Sequence, residues 1–409
     1  MAAGTSGRSG EVPEGRPRVS AAGLADPRAD GKDAEERRVT PLELFFDLVF
    51  VFAITQVTGL LSEEPTPLGL LRGMALLAAL WWAWVCYSWL TNTVRAEDAT
   101  PARLVVLSAM AAMLVASLAV PDAFGDAGVV FGIAYFVIRL LHLALYALVA
   151  GEEGPEARRA VLRFAPGFLG GPALIAAAGT ADGAVQGALW AAALGLDYGT
   201  PLLRGVSGLR VHAGHFSERH GLVIIIALGE SIVAVGVGAS GLALGPGVVL
   251  AALFGAGVAA GLWWAYFDLV ALAAERRLAG SRGDERAKLA RDSYSFLHLP
   301  MVAGIVLVAL GIKKGLAHVG DPLGTIPAVA LCGGVALYLL GHNAFRLRDA
   351  GSVSVPRLVA TAAALALIPL ALRTPALIPL GAVAALLAAL AAYEAARHRA
   401  LRRELRGVP

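Results

Sequence analysis

A succession of apolar stretches fills the chain from residue 40 to residue 393. Most of them run for about 20 residues, the length of an α-helix that crosses the hydrocarbon core of a bilayer. Strands of a membrane β-barrel are only about 10 residues long and alternate apolar with polar side chains, a pattern these stretches lack. Because backbone polar groups in lipid must bond within the protein, the stretches predict helices. The predicted fold class is therefore an all-α polytopic membrane protein.

The composition excludes a soluble globular protein. Of the 409 residues, 57% are hydrophobic and only 16% are charged, whereas a soluble domain needs polar groups over much of its surface. The net charge of +3 does not indicate nucleic-acid binding, because the basic residues follow a topological pattern. The two cysteines, Cys86 and Cys332, lie in apolar stretches and form no disulfide or zinc motif. No cofactor is predicted, and the expected partner is the lipid bilayer.

Twelve spans are predicted, with boundaries good to a few residues. They cover residues 40–61, 68–93, 103–120, 127–150, 159–178, 182–199, 220–241, 246–273, 294–312, 325–345, 356–372 and 375–393. Residues 1–36 have no apolar periodicity and are predicted to be a disordered cytoplasmic tail. Residues 397–409 are predicted to be a basic cytoplasmic tail.

The distribution of basic residues predicts the orientation. With a cytoplasmic N-terminus, all but five of the 34 Lys and Arg residues fall in cytoplasmic segments or at the cytoplasmic ends of spans. The five are Lys313, Lys314 and Arg373 in external loops, and Arg72 and Arg139 within spans. This asymmetry follows the positive-inside rule, and a missed helix would destroy it. The prediction is a bacterial plasma (inner) membrane protein with both termini in the cytoplasm.

Two landmarks recur in the two halves of the chain. Asp47 lies 34 residues before Trp81, and Glu230 lies 33 residues before Trp263, each acid in the first span of its half. Six spans are an even number, so both halves enter the membrane from the same side. The chain is therefore predicted to contain two parallel six-helix repeats related by an axis along the membrane normal.

The predicted boundaries of the repeats follow from the spans. The first repeat comprises residues 37–203, the cytoplasmic linker residues 204–219 and the second repeat residues 220–396.

Four motifs carry a family resemblance. They are residues 39–50 (VTPLELFFDLVF), 215–222 (HFSERHGL), 226–232 (IALGESI) and 298–304 (HLPMVAG). On these motifs the chain resembles the bacterial low temperature requirement A family. The resemblance implies a many-helix membrane protein connected with growth in the cold, and it implies no particular site residues.

Residues 45–55 (FFDLVFVFAIT) are also similar to the opening of the endolysosomal potassium-channel family. That family repeats a six-helix unit and lines its pore with the first helix, which implies an ion pathway along the first span here. Phe46 replaces a serine of that opening, and Leu42 stands where an arginine is expected.

Ionisable residues inside predicted spans are the functional candidates, because a charge in the bilayer core costs about 2.5–3.5 kcal/mol. They are Glu43, Asp47, Glu230, Asp268, Arg139, His142, His298 and His342. Glu43 and Asp47 are four residues apart and share a helix face. Two neighbouring carboxylates favour a proton or cation pathway, since one of them can hold a proton. The alternative is structural pairing of the acids, for example with Arg139.

The histidines leave further alternatives open. His298 lies two residues before Pro300, where it could relay protons or bond to a carbonyl that the proline frees. His212, His215 and His220, with Glu218 among them, could hold a metal or could belong to a charged loop at a helix entrance.

Three functions are compatible with these observations. The leading one is a channel or transporter for a small cation or proton that uses the acids of the first span in each repeat. The second is a non-transporting membrane protein of cold or envelope adaptation, such as a scaffold. The third is an intramembrane enzyme, which the missing catalytic motifs disfavour. The sequence leaves a homo-oligomer open.

Overall fold

The computed structural model describes residue 1, residues 38–94, residue 97 and residues 99–399. The predicted tails, residues 1–36 and 397–409, lie almost entirely outside the described residues. Within the described part, regular secondary structure is helical apart from one isolated bridge between Pro322 and Pro375.

Eight helices lie within residues 41–239 of the described part of the chain, and the last of them begins the second half. They are α1 Pro41–Glu63, α2 Pro67–Thr93, α3 Thr100–Ala119, α4 Gly128–Glu153, α5 Pro155–Leu162, α6 Ala165–Ala178, α7 Gly183–Arg204 and α8 Ala213–Ala239. A short 3₁₀ turn, Val120–Asp122, follows α3.

The second half contains eight more. They are α9 Pro246–Phe267, α10 Val270–Gly280, α11 Gly283–Leu289, α12 His298–Ala317, α13 Thr325–Ala350, α14 Val355–Ala366, α15 Ile368–Ala371 and α16 Leu377–Arg397. A π-helical segment, Ala290–Phe296, joins α11 to α12.

Local sequence signals explain where α1 begins. Thr40 is extended and caps the helix, because its hydroxyl accepts from the Glu43 backbone N–H while the Glu43 carboxylate accepts from the Thr40 N–H. This reciprocal capping box satisfies two backbone donors that the first turn leaves free. Pro41 occupies the first helical position, where its missing N–H is not needed. The capping box also fixes the position of the Glu43 carboxylate.

The predicted all-α polytopic membrane fold is confirmed, since all twelve predicted spans fall on helices. Among the described residues, nine helices are long and apolar enough to cross a membrane. The other three predicted spans fall on the shorter apolar helices Ala165–Ala178 and Val355–Ala371 and on α7, which has 22 residues.

Two differences from the predicted boundaries concern the loops. Helix α8 begins at Ala213 instead of residue 220, so the predicted linker, residues 204–219, contains almost two helical turns. Hydropathy misses these turns because they are rich in polar side chains. Helix α12 extends to Ala317 and therefore includes Lys313, which the prediction placed in an external loop.

Helix neighbours recur in the two halves. In the first half α1 contacts α2 and α3, α3 contacts α4, α4 contacts α6, α6 contacts α7, and α7 contacts α2. In the second half α8 contacts α9 and α12, α12 contacts α13, α13 contacts α14, α14 contacts α16, and α16 contacts α9. The order of neighbours is the same when α8 is matched to α1.

Helices α1 and α8 contact each other and run in the same direction. The start of α1 lies beside the start of α8, because Glu43 contacts His215 at 3.0 Å. Three turns further along, the Thr55 hydroxyl of α1 donates to Glu230 of α8 at 2.7 Å. Contacts therefore advance along both helices together, which places the acids of the two halves at one interface.

Glycine allows the closest helix contact in the second half. A Cβ on Gly304 of α12 would lie 2.6 Å from the Gly334 carbonyl oxygen of α13, and a Cβ on Gly334 would lie 2.7 Å from the Gly304 carbonyl oxygen. Small residues at such contacts let helix backbones pack closely in a membrane.

Candidate functional site: a buried acid and arginine cluster

Four ionisable side chains from α1 and α8 form what we call the acid–arginine cluster: Glu43, Asp47, His215 and Arg219. Arg219 Nη2 lies 2.6 Å from Asp47 Oδ1, and Arg219 Nη1 lies 3.2 Å from Glu43 Oε1. His215 Nε2 lies 3.0 Å from Glu43 Oε2. All four side chains are buried, and Asp47 is 0% exposed. The predicted proximity of Glu43 and Asp47 is thus present, with two cationic or basic partners from α8.

Helix α2 supplies the third wall of the cluster. Trp84 Nε1 donates to Asp47 Oδ1 at 2.8 Å, and Arg219 also donates to the Thr91 hydroxyl at 2.9 Å. The Arg219 guanidinium carbon lies 5.5 Å from the centre of the Trp84 ring, within the range of a cation–π contact. The cluster therefore connects the first two helices of the first half with the first helix of the second half.

The proton on His215 can be assigned from its neighbours. Asn92 Oδ1 accepts from the His212 backbone N–H, and Asn92 Nδ2 donates to the His212 carbonyl, so the orientation of the amide is fixed. The same amide nitrogen lies 3.2 Å from His215 Nδ1, which must therefore accept. His215 Nε2 then carries the hydrogen and donates to Glu43, and the imidazole is neutral.

With both acids ionised, the cluster has one negative charge in excess. Glu43 and Asp47 supply two carboxylates, whereas Arg219 supplies one guanidinium. The N-termini of α1 and α8 lie near Glu43. The positive end of a helix dipole stabilises a negative charge there, but this effect is mainly confined to the first turn. Asp47 is in the second turn, and its Oδ2 has no hydrogen-bond partner among the described residues. A buried carboxylate oxygen without a partner is the group most costly to keep charged.

Glu230 lies further along the α1–α8 interface. Its Oε2 accepts the Thr55 hydroxyl, and it is 4% exposed. Among the described residues, no Lys, Arg or His forms an ion pair with it within 4.0 Å. Glu230 is thus a buried acid without an ion pair among the described residues, although the charge of Lys313 acts on it from a longer distance.

Arg139 does not pair with the acids of α1, which corrects the partner suggested for them from the sequence, because Arg219 takes that place. Arg139 pairs instead with Asp197 of α7, with Nη2 3.0 Å from Oδ1 and both side chains 0% exposed. Tyr135 donates to the other carboxylate oxygen at 2.7 Å, and Arg139 also contacts the Cys86 sulfur. These bonds hold α4 against α2 and α7.

A buried ion pair also joins two helices of the second half, α14 and α16. Arg357 of α14 donates to both carboxylate oxygens of Glu394 of α16, at 2.8 and 2.9 Å, and to the Ala265 carbonyl of α9. The sequence predicted neither residue as a site residue. Arg357 had been counted as a loop charge, because it lies in the first turn of a predicted span.

His298 is bonded on both ring nitrogens. Nδ1 lies 3.0 Å from the Ser293 carbonyl of the π-helical segment, and Nε2 lies 2.9 Å from the Tyr266 hydroxyl. A carbonyl only accepts, so Nδ1 carries the hydrogen and Nε2 accepts from Tyr266. The sequence left two alternatives for His298, a proton relay and a bond to the carbonyl that Pro300 frees. A bond to a carbonyl is present, but the carbonyl is that of Ser293.

His342 packs against the Tyr266 and Tyr338 rings, and neither of its ring nitrogens has a hydrogen-bond partner among the described residues.

The three histidines proposed as weak metal candidates do not converge. His212 bonds to Asn92 through its backbone and His215 faces Glu43, whereas the His220 ring lies among aromatic rings. Among the described residues, no group of three or more His, Cys, Asp or Glu could hold a metal ion.

Two other candidates lie away from the cluster. Asp268 is 6% exposed and follows directly after α9. His142 of α4 lines a cavity of about 50 Å³, together with aromatic side chains such as Trp82 and Phe168.

The sequence missed Arg219, the central cation of the cluster, although a signal was present. His215 and Arg219 are four residues apart, as Glu43 and Asp47 are. The acidic pair lies at the start of α1, and the basic pair lies at the start of α8. Residues four apart share one face of a helix, so the two pairs can meet when α1 and α8 run in the same direction.

The helices and the buried polar groups between them define a multi-pass helical membrane protein. A sequence profile for the bacterial low temperature requirement A protein (LtrA) matches residues 38–392. The chain therefore belongs to the LtrA family.

One relative has a comparable length. The chain is 31% identical over 324 residues to an uncharacterized protein of Rhizobium meliloti (strain 1021), with 76% of this chain and 77% of the relative covered. No solved structure matches the chain significantly.

Proposed function

We propose that this LtrA-family protein moves a small cation or a proton across the bacterial plasma membrane. The observation that carries the proposal is the buried excess of one carboxylate in the acid–arginine cluster. A group of fixed charges that served only to hold helices together would be most stable when neutral, because an uncompensated charge in low dielectric is costly. A site that alternately binds and releases one cation needs such an excess.

The polar groups along α1 support a route for the ion. Glu43 and Asp47 lie in the first two turns, and Thr55 and Thr58 lie further along beside Glu230. Between these two polar regions lie about two helical turns with the buried apolar side chains of Phe50 and Ile54. This apolar stretch would separate two ion-binding regions and close the path between them at rest.

The proposed membrane orientation places both termini in the cytoplasm, as the basic residues predict. We further propose that the two halves are parallel repeats, residues 37–203 and 220–396. The parallel course of α1 and α8 and the matching order of helix neighbours support this assignment. In this arrangement the acid–arginine cluster lies near the axis between the repeats and on the cytoplasmic side.

An ion-flux assay tests the function. Purified protein is reconstituted in liposomes, and the uptake of H⁺, Na⁺ and K⁺ is measured under imposed ion and pH gradients. We expect flux with wild type, none with Asp47→Asn or Glu230→Gln, and full flux with the control Asp182→Asn, which removes an exposed carboxylate at the start of α7. Absence of flux for every ion tested with correctly folded wild type, or full flux with both Asp47→Asn and Glu230→Gln, would contradict the proposal.

A further inference from the structure

Two buried hydrogen-bond acceptors near Trp84 have no donor among the described residues. Trp84 Nε1 donates to Asp47 Oδ1, while Asp47 Oδ2 has no hydrogen-bond partner among the described residues. The centre of the Trp84 ring lies 5.0 Å from that of His220, in an edge-to-face arrangement. His220 Nε2 also lacks a partner among these residues, and the side chain is 0% exposed.

The unused nitrogen of His220 is a basic one. His220 Nδ1 lies 2.8 Å from the Phe216 carbonyl oxygen four residues earlier in α8. Since the carbonyl only accepts, Nδ1 carries the hydrogen of the neutral ring and Nε2 bears a lone pair. A hydrogen bond at one ring nitrogen in this way determines which tautomer the histidine adopts. Nε2 is therefore the atom at which the neutral His220 ring can accept a proton.

We infer that the ion which the protein moves is a proton, and that it binds in turn at Asp47 Oδ2 and at His220 Nε2. The inference rests on the proposed function and specifies its substrate. Binding at Asp47 gives a neutral carboxylic acid and balances the charge of the acid–arginine cluster. Binding at His220 gives an imidazolium, with the proton leaving the Asp47 carboxyl oxygen as the carboxylate re-forms.

The surroundings of both acceptors exclude an alkali-metal site in this arrangement. Selective sites for such ions replace the hydration shell with several oxygen ligands, such as rings of carbonyls. Asp47 Oδ2 is a single carboxylate oxygen, and the other cluster oxygen without a hydrogen bond, Glu43 Oε1, faces Arg219 Nη1 at 3.2 Å. His220 is enclosed by aromatic rings, including Phe216 at 4.5 Å and Tyr294 at 5.3 Å. A proton requires only one lone pair, which each group offers.

Charged and titratable groups from every neighbouring helix act on the two acceptors. Asp47 faces Glu43 and Arg219, and the Trp84 indole contacts both Asp47 and His220. His220 is influenced by Arg219 and His215 of its own helix, by Tyr294 of the π-helical segment and by His298 of α12. A proton on Asp47 removes a negative charge that would stabilise an imidazolium at His220, and an imidazolium at His220 favours the ionised form of Asp47, so a proton on one acceptor disfavours a second proton on the other. The pair therefore holds one proton at a time.

The second half offers a continuation beyond His220. The His220 and His298 ring centres are 5.2 Å apart, and His298 Nε2 accepts from the Tyr266 hydroxyl. Beyond Tyr266 lies the ring of His342, whose nitrogens have no partner in the described part of the chain. All of these side chains are buried, so a proton that leaves His220 meets exchangeable groups instead of lipid.

The first test measures selectivity in proteoliposomes. Wild type should carry H⁺ driven by a membrane potential and should carry neither Na⁺ nor K⁺ above the level of protein-free liposomes. His220→Gln should lose H⁺ flux, whereas His318→Gln, which changes an exposed histidine after α12, should retain it. Flux of Na⁺ or K⁺ by wild type overturns the proton inference but leaves the proposed function intact. Absence of every flux overturns the proposed function and the inference with it.

The second test needs no variant and no activity. Nitrogen-15 NMR of histidine-labelled wild-type protein in lipid distinguishes the two neutral tautomers and the imidazolium. We expect at least two histidines, His220 and His298, with the hydrogen on Nδ1, and one of them to become an imidazolium on acidification before the protein unfolds. Spectra in which fewer than two histidines have the hydrogen on Nδ1 would contradict the assignment of His220 as the acceptor.

Discussion

Replacing Arg219 with methionine tests whether the charge of the acid–arginine cluster governs stability. Methionine has a similar length and removes the guanidinium from two buried carboxylates, so the excess of one negative charge becomes an excess of two. Breaking a buried ion pair by removing one partner costs about 3–5 kcal/mol. We expect a loss of that size in the free energy of unfolding of Arg219→Met. The loss includes the bond to Thr91, which contributes about 1 kcal/mol as a neutral acceptor.

A second substitution should restore much of this stability. Adding Asp47→Asn to Arg219→Met returns the cluster to a single negative charge, which Glu43 carries with His215 and the Thr40 N–H as its donors. We therefore expect the double variant to recover about 2 kcal/mol relative to Arg219→Met, because the asparagine replaces an unpaired charge by a neutral amide.

Equilibrium unfolding in detergent micelles, followed by tryptophan fluorescence and circular dichroism, measures both differences. Arg277→Met is a control, because Arg277 is roughly half exposed and its contact with Glu285 is long, at 3.7 Å. This control should change stability by less than about 1 kcal/mol. The reasoning is refuted if Arg219→Met is as stable as wild type, or if the double variant is less stable than Arg219→Met alone.

Three further predictions concern packing and topology. Arg357→Met should cost about 3–5 kcal/mol in the same unfolding assay, because it leaves a buried carboxylate unpaired; wild-type stability would contradict this. Gly304→Leu should separate α12 from α13 and abolish folding in the membrane, since even a Cβ would lie 2.6 Å from the Gly334 carbonyl oxygen; a fully stable variant would show that this contact is wrong. A membrane-impermeant thiol reagent applied to intact cells should label Asp182→Cys and not Arg282→Cys, against a low background from two buried native cysteines; the opposite pattern would reverse the proposed orientation.

The helices could be predicted from the sequence because the determining property is local. A helix of about 20 apolar residues is long enough to cross the bilayer core, whichever helices pack against it. Thr40 and Pro41 similarly mark the start of α1 within a few residues. Hydropathy failed at the start of α8, where Ala213 opens a helix with polar turns. Those turns are buried by α1 and α2, and such burial depends on tertiary packing.

The candidate site could be predicted only in part for the same reason. The cost of a charge in lipid identified Glu43 and Asp47 as unusual from the sequence alone. Their partner Arg219 is 172 residues away from Asp47 in sequence, and only the parallel course of α1 and α8 brings the two together. Likewise, Arg139 was recognised as buried, but its pairing with Asp197 depends on the packing of α4 against α7.

The protonation state of Asp47 tests the central claim most directly. Infrared difference spectra of the purified protein, recorded on acidification, report the carbonyl band of each carboxylic acid that forms. We expect a band from a buried carboxylic acid that is present in wild type and in the Asp182→Asn control and is absent in Asp47→Asn. A spectrum of Asp47→Asn identical to that of wild type would show that Asp47 binds no proton, and that the excess charge of the cluster has no role in ion movement.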